Sequence, residues 1–376
     1  MDMNSPYRPR REKLPIALDQ VTPEWLTRVL QLRFPDLEVR SFAFIEVNNT
    51  HTTKLRLSLD LNEAGIAMGF PHNVCLKANW SGSPLSSGAG ICELEARFYR
   101  YFRDQLAIPA PVAYYADWDE DRFNQGLVIM EDLVDAGVSF SSTNDPINAD
   151  EAARSIEGLA VMHASCWGND ILDDHPWLKV AMSADCSDPN MYHSLEEHMR
   201  HNNQLPRRRA VLPGWFLSQP ERLSRAYDAL AAHEVAKPGP RTLIHGDAHL
   251  GNSYVTPGGE RRWLDWQIVR RGTPWRELNY FLISAMTIEE RRGNERHLLQ
   301  HYMDLMASKG CEMPDSESAW NEYRLWDIYG LASFNGSRDE WGPENAIFAG
   351  VERFSAAIQD HDSLSLMAAI SGRSFW

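Results

Sequence analysis

The sequence predicts an α+β protein in two parts, a β-rich first third joined to a mainly helical remainder. Two patterns carry this. Before residue 131, short apolar runs alternate with polar residues, as in half-buried strands; after it, apolar residues recur at helical spacing. At 376 residues the chain is long enough for two to three folding units and needs no disulfide or metal staples. Residues 1–13 read as a flexible N-terminal arm, 14–133 as an N-terminal lobe, and 134–376 as a helical C-terminal lobe.

Each element has a local reason. Thr22 is placed to cap a helix that begins with Pro23 and Glu24 and carries Trp25, Leu26, Val29 and Leu30. Val39–Val47 and Lys54–Leu61 read as strands, with the turn-forming Asn48–Thr53 between them. Val74–Trp80 is a further strand, Ser81–Gly90 a loop, and Cys92–Leu106 a helix stopped by Pro109 and Pro111. Val112–Trp118 and Gly126–Glu131 complete the strands of this part. Asp150–Trp167 is an amphipathic helix, followed by helical sequence to about Val235, a strand-rich segment over Thr242–Val269, and helices to the end.

Composition narrows the function classes. Lys and Arg number 37 against 52 Asp and Glu, a net charge of −15, which argues against nucleic acid or an anionic membrane as partner. No apolar run approaches the roughly 20 residues of a membrane span, and no signal peptide is evident, so a cytoplasmic protein is expected. The five cysteines are scattered without C-x-x-C spacing, as for reduced, buried thiols. No obligate protein partner is evident.

Chemistry concentrates in Arg241–Trp266, RTLIHGDAHLGNSYVTPGGERRWLDW. Thr242–Ile244 ends a strand, His245–His249 is a tight loop, Asn252–Thr256 starts a strand, and Pro257-Gly258-Gly259-Glu260 is a hairpin turn. A two-residue loop at Gly258-Gly259 would oppose Tyr254 to Trp263 and Asn252 to Asp265, with Cβ atoms roughly 4.5–5.5 Å apart. Two oxygen donors so placed could share a hard divalent cation, with Asp247 as a nearby base. A slip of one residue in register would turn either side chain to the opposite face.

His245-Gly246-Asp247-x-x-x-x-Asn252, followed by Leu264-Asp265-Trp266, resembles the catalytic segment of the aminoglycoside phosphotransferase and choline kinase-like superfamily. Further similarity, over about residues 20–310, is to the ecdysteroid kinase-like (CHK-like) branch and its bacterial relatives. It runs through Val74-Cys75-Leu76-Lys77, Glu95–Tyr99, Ile129–Leu133, Leu159–Ala164 and Gln267–Leu282.

The resemblance implies a bilobal protein kinase-like fold and transfer of the γ-phosphate of ATP, with Mg²⁺, to a small-molecule hydroxyl. It implies that Asp247 accepts the hydroxyl proton and that Asn252 and Asp265 hold Mg²⁺. Lys77 would contact the α- and β-phosphates and Glu95 would pair with Lys77, Glu93 being the competing choice. Backbone groups of Glu131, Asp132 and Leu133 would meet the adenine, and His245 would support the loop. Glu277 stands where the family usually has Asp, in a supporting role, and Asn48–Thr53 lacks the G-x-G-x-x-G of protein kinases. Acceptor choice would lie in parts of residues 180–220 and 320–345. An acidic pocket there would suit an aminoglycoside or choline, and an aromatic one, for which Trp215, Trp320, Trp326 and Trp341 are candidates, a lipophilic alcohol; the branch likeness points to a sterol-like or other hydrophobic alcohol.

Two other functions compete. His245-x-Asp247-x-His249 could be the metal cluster of a hydrolase, because alternate strand residues point the same way. A catalytically silent nucleotide-binding relative is the other. His163, on the inward side of its helix, reads as a hydrogen-bonded structural residue, and Arg207-Arg208-Arg209 as a solvated turn or helix face.

Overall fold

The structure, a computed structural model, describes residues 12–50, 52–80, 90–106, 108–121, 125–186, 188–337 and 342–376, apart from the side chains of 188–194. Most of the arm and of the Ser81–Gly90 loop lie outside these residues. The chain divides into two compact units: residues up to Ser139 with Leu264–Ile268, and Phe140–Trp263 with Val269–Trp376.

The first unit is built on a five-stranded antiparallel sheet of order β1-β2-β3-β5-β4. Its strands are β1 (Val39–Asn49), β2 (Thr53–Leu61), β3 (Asn73–Ala78), β4 (Ala113–Trp118) and β5 (Gly126–Glu131). Alternation works as read: Leu55, Leu57, Leu59 and Leu61 of β2 all turn into the core. Helix α1 (Pro23–Leu30) begins where Thr22 Oγ1 accepts the Trp25 N–H at 3.2 Å, and it buries Trp25, Leu26, Val29 and Leu30 in the same core. A short helix unforeseen in the sequence, α2 (Glu63–Ala67), is capped by Asn62. The helix expected over Cys92–Leu106 is α3 (Ile91–Phe98) continuing into a π turn at Tyr99–Arg103. Gly126 sets where α3 lies, since a Cβ there would stand 2.1 Å from the Cys92 carbonyl oxygen.

The second unit is helical: α4 (Ala149–Cys166), α5 (Asp188–Asn202), α6 (Pro206–Arg209), α7 (Gly214–Ser218), α8 (Glu221–Ala236), α9 (Pro274–Ala285), α10 (Ile288–Ser308), α11 (Ser316–Leu325), α12 (Asp327–Gly336), α13 (Glu344–Asp360) and α14 (Ser363–Ser371). Every residue of α9 is buried, and α4, α10, α11 and α13 pack around it. Two strand pairs interrupt the helices, Thr242–Ile244 with Arg270–Gly272 and Ser253–Val255 with Arg261–Trp263. Among the described residues no helix is long and apolar enough to cross a membrane. All five cysteines are free thiols, four of them buried.

Three expectations need correction. The hairpin register is one residue off: Ser253, not Tyr254, faces Trp263. Thr256 N bonds Glu260 O and Gly259 N bonds Thr256 O, so the loop has three residues, with Gly259 in the left-handed region at φ 86°. Asn252 then closes a 3₁₀ turn and Asp265 lies past the strand end, so the ladder pairs neither. Second, Trp320 and Trp326 are core residues, packed on Tyr323 and Tyr329 respectively, rather than an open aromatic lining. Trp215 is only partly buried, and Trp341 lies outside the described residues. Third, Arg208 is no solvated turn residue: it is buried and donates to the Asn335 carbonyl at 3.0 Å, while Arg207 stacks on Phe348.

A buried charge network ties the last helices together. His361 Nδ1 lies 2.7 Å from Asp327 Oδ2, and its Nε2 lies 3.0 Å from Glu295 Oε2. Arg291 shares Glu295 at 2.8 Å, and Ser363 and Asn279 also donate to Asp327. Burial alone would lower the His361 pKa, but Asp327 and Glu295 outweigh it and raise it to about 9 from 6.5. A histidine raised on folding stabilises fully below its unfolded value and loses that contribution as pH rises through the folded one. Stability should therefore fall by about 3 kcal/mol between pH 6.5 and pH 9. Urea unfolding across this range should show the slope in the native protein and a flatter profile in His361→Gln; parallel profiles would remove the assignment.

Candidate active site

In the first unit, Lys77 is almost wholly buried on β3, between Lys54 of β2 and Val128 of β5. Its Nζ lies 2.7 Å from Glu95 Oε2 and 2.5 Å from Asp265 Oδ1. Lys54, which sequence reading passed over, reaches within 3.8 Å of Asp265 Oδ2. Helix phase decides between the two glutamates. Glu95 and Phe98 share one face of α3, whereas Glu93 turns away and pairs with Arg97 at 2.8 Å.

The short segment Leu264–Ile268 is fastened to that face. The Trp266 indole stacks on Phe98 at 3.8 Å and 5°, and the Trp266 N–H donates to Glu95 Oε1. Asp265 has φ 68°, in the left-handed region that, glycine apart, Asp and Asn enter most readily. Burial would strip Lys77 of its proton, but Asp265 and Glu95 outweigh it and hold the ammonium above the ordinary lysine value. Burial pushes the Glu95 carboxyl upward, against the pull of Lys77.

The connector Glu131–Leu133 uses its side chains structurally. Glu131 donates its N–H to Val112 O and accepts the Val112 N–H with its carboxylate at 2.8 Å. Asp132 is buried and grips Arg56 at 2.9 Å, while Leu133 O accepts from Val138 N.

In the second unit the loop after Thr242–Ile244 is held from the dry side. Gly246 takes φ 89°, a conformation only glycine adopts at ease. Its N–H donates to Glu277 Oε1 at 2.9 Å, and its carbonyl accepts from Arg276 at 3.0 Å. Glu277 Oε2 also receives His163 Nε2 at 2.8 Å, and His163 Nδ1 meets the Tyr302 hydroxyl at 2.8 Å. Burial would raise the Glu277 pKa, but His163 and the Gly246 N–H bring it below the usual carboxylate range. Arg276 was not foreseen, though its place beside Glu277 at the start of an apolar helix was a usable signal.

On the wet side stands Asp247, its side chain one-third exposed. His245 is fully buried beneath it and accepts the Asp247 N–H on Nδ1 at 3.2 Å. Asn252 donates its amide to Asp247 twice, to the backbone oxygen at 3.0 Å and to Oδ2 at 2.9 Å. The His-x-Asp-x-His cluster does not assemble: His249 Nδ1 is taken by the Gly251 N–H, and its Nε2 is 3.7 Å from Asp247. Among the described residues no group of three or more His, Cys, Asp or Glu is arranged to hold a metal.

A β-rich unit with a buried lysine–glutamate–aspartate cluster, and a helical unit presenting Asp247 and Asn252 on a clamped loop, define a kinase-like phosphotransferase architecture. The profile of the phosphotransferase enzyme family (APH) matches residues 85–307, more than half of the chain, and the protein belongs to that family.

Among solved structures, a Ralstonia eutropha JMP134 protein provisionally named an aminoglycoside phosphotransferase is similar at TM-score 0.52 and 14% identity, covering 86% of this chain and 94% of its own. A choline/ethanolamine kinase family protein from Mesorhizobium loti gives TM-score 0.46 and 13% identity, over 88% of this chain and 92% of that one. The choline kinase of Streptococcus pneumoniae gives 0.48 and 13%, over 85% and 94%. The first of these shows a shared fold. No curated protein sequence matches the chain.

If Glu277 carries the loop, Glu277→Ala should cost about 3 kcal/mol, since it leaves the Gly246 N–H and His163 buried without their acceptor. Glu277→Asp, one methylene shorter, should lose less. Urea midpoints at unchanged m-value measure both; a cost below about 1 kcal/mol for the alanine variant would show that the loop stands without this residue.

Proposed function

We propose that the protein transfers the γ-phosphoryl group of ATP to a hydroxyl of a small molecule. The observation that carries this reading is the Asp247–Asn252 pair. The Asn252 amide nitrogen is spent on Asp247, so its amide oxygen is the end left for a ligand. An amide oxygen at Asn252 and a carboxylate at Asp265 are both hard oxygen donors, the kind Mg²⁺ takes in small number alongside phosphate oxygens. These two residues would hold the ion, which when bound neutralises negative charge on the phosphates.

The remaining roles follow from chemistry. Asp247 takes the proton of the acceptor hydroxyl as that oxygen forms its bond to the γ-phosphorus. The bond from the γ-phosphorus to the bridging oxygen breaks, and ADP leaves. Lys77 meets the α- and β-phosphates with a charge that Glu95 keeps in place. Backbone groups of Glu131–Leu133 receive the adenine. His245 and Glu277 act only through the loop they support.

The test is Asp247→Ala, assayed for MgATP binding by thermal shift and for ADP formation with a panel of hydroxyl compounds. Binding should persist while turnover falls by about 10²–10⁴-fold. Unchanged turnover in the variant would refute the assignment.

A further inference from the structure

The polar face of the first unit's sheet carries three cations, and two of them are firmly engaged. On β2, Leu55 and Leu57 point into the core, which turns Lys54 and Arg56 to the other face. On β3, Lys77 stands directly opposite Lys54. Arg56 is held by Asp132 at 2.9 Å and by Glu46 at 3.3 Å. Lys77 is held by Glu95 and Asp265. Lys54 has Asp265 Oδ2 at 3.8 Å, beyond hydrogen-bond range, and makes no hydrogen bond among the described residues. Its side chain is 38% exposed, against 5% for Lys77.

Folding alone gives no reason for this placement. Like charges facing each other across a strand pair repel, so Lys54 opposite Lys77 is unfavourable by itself. Lysine is also scarce here: six of the 37 basic residues are lysines, and two of the six meet at this point. Charge balance supplies the reason. Lys77 lies between two carboxylates, so Lys77, Glu95 and Asp265 together carry one surplus negative charge, which repels a polyphosphate. Lys54 cancels that surplus. When Asp265 turns its charge to the Mg²⁺ proposed above, Lys77 keeps Glu95, whereas Lys54 loses the carboxylate beside it.

The turn before Lys54 points the same way. In protein kinases a glycine-rich loop covers the phosphates. Here Asn48–Thr53 holds no glycine, and its donors are spent within the turn. The Thr50 N–H donates to the Thr52 carbonyl at 3.0 Å, and Thr53 Oγ1 donates to Asn49 Oδ1 at 2.7 Å. Thr52 and Thr53 are buried. Immediately after them the Lys54 ammonium, a compact point charge with rotatable donors, supplies what a polyphosphate needs.

We infer that Lys54 is a second phosphate-binding residue of the nucleotide site, doing with a side chain what loop glycines do with their backbone. Without nucleotide its charge is parked beside Asp265. The inference rests on the phosphotransfer reading above.

The experiment measures adenosine, ADP and ATP binding to the full chain by titration calorimetry, in EDTA and in Mg²⁺. The native protein is compared with Lys54→Met, which keeps the stem and removes the charge, and with Lys54→Arg. The methionine variant should bind ADP and ATP about tenfold more weakly in both buffers and adenosine within about twofold of native, since adenosine has no phosphate. The arginine variant should recover ATP affinity to within about threefold. The readout is the ratio of ATP to adenosine affinity, which a general loss of folding would not change. Equal losses for adenosine and ATP would make Lys54 a structural counter-charge to Asp265 and overturn the inference, as would ATP affinity unchanged in Lys54→Met. In either case Asp247-dependent ATP turnover by the native protein leaves the phosphotransfer reading standing. If the native protein binds no ATP, both fall.

Discussion

A carboxylate buried in a helix that has no wet face must find its donors within the protein, and Glu277 finds two. All of α9 is inside the second unit, so water cannot solvate this charge. His163 supplies one donor, oriented by Tyr302 at its other nitrogen, and the peptide of Gly246 supplies the second. Arg276, one residue earlier, takes the carbonyl of the same glycine. Gly246 is thus gripped at both polar ends, and its positive φ turns the chain so that His245 points inward and Asp247 outward. A carboxylate one-third exposed is thereby mounted on a loop fixed from behind, so that it can meet a ligand without losing its position.

The first unit solves a different electrostatic problem. Lys77 is buried between two carboxylates, an arrangement that desolvation makes expensive unless the geometry is tight. The tightness comes from packing. Phe98 and Glu95, three residues apart on α3, receive Trp266 by stacking and by hydrogen bond, which fixes the residue just before it. Asp265 is held there in the left-handed region, which, glycine apart, Asp and Asn enter most readily.

Much of this was legible in the chain because it is local. The Thr22-Pro23 cap, the alternating leucines of β2 and the helical phase that separates Glu95 from Glu93 need only near neighbours. The hairpin register was misread because Gly258-Gly259 satisfies a two-residue turn as well as the second half of a three-residue one, and Pro257 tips the choice by joining the loop. That displacement takes Asn252 and Asp265 out of the ladder altogether, so motif resemblance, not strand pairing, linked them. Close approaches were invisible for another reason. Gly126 against Cys92, and Gly350 against Phe334, involve segments far apart in sequence, and nothing local announces that a Cβ would collide. The tryptophans misled similarly: at Trp320 and Trp326 the rings fill the core, a role indistinguishable from pocket lining until the helices are packed.

The length of the Glu277 side chain adds one more step. A shorter carboxylate could reach a loop N–H from a helix that lay closer; here the added methylene lets one carboxylate span both Gly246 and His163. The same logic bears on charge. A net −15 spread over the surface is screened beyond roughly 8–10 Å, so it says little about what a ligand meets at Asp247. What it meets is set by which carboxylates are already satisfied. Glu277 and Asp327 are each saturated by histidine and neutral donors, and His249 Nε2 stands 3.7 Å from Asp247 Oδ2.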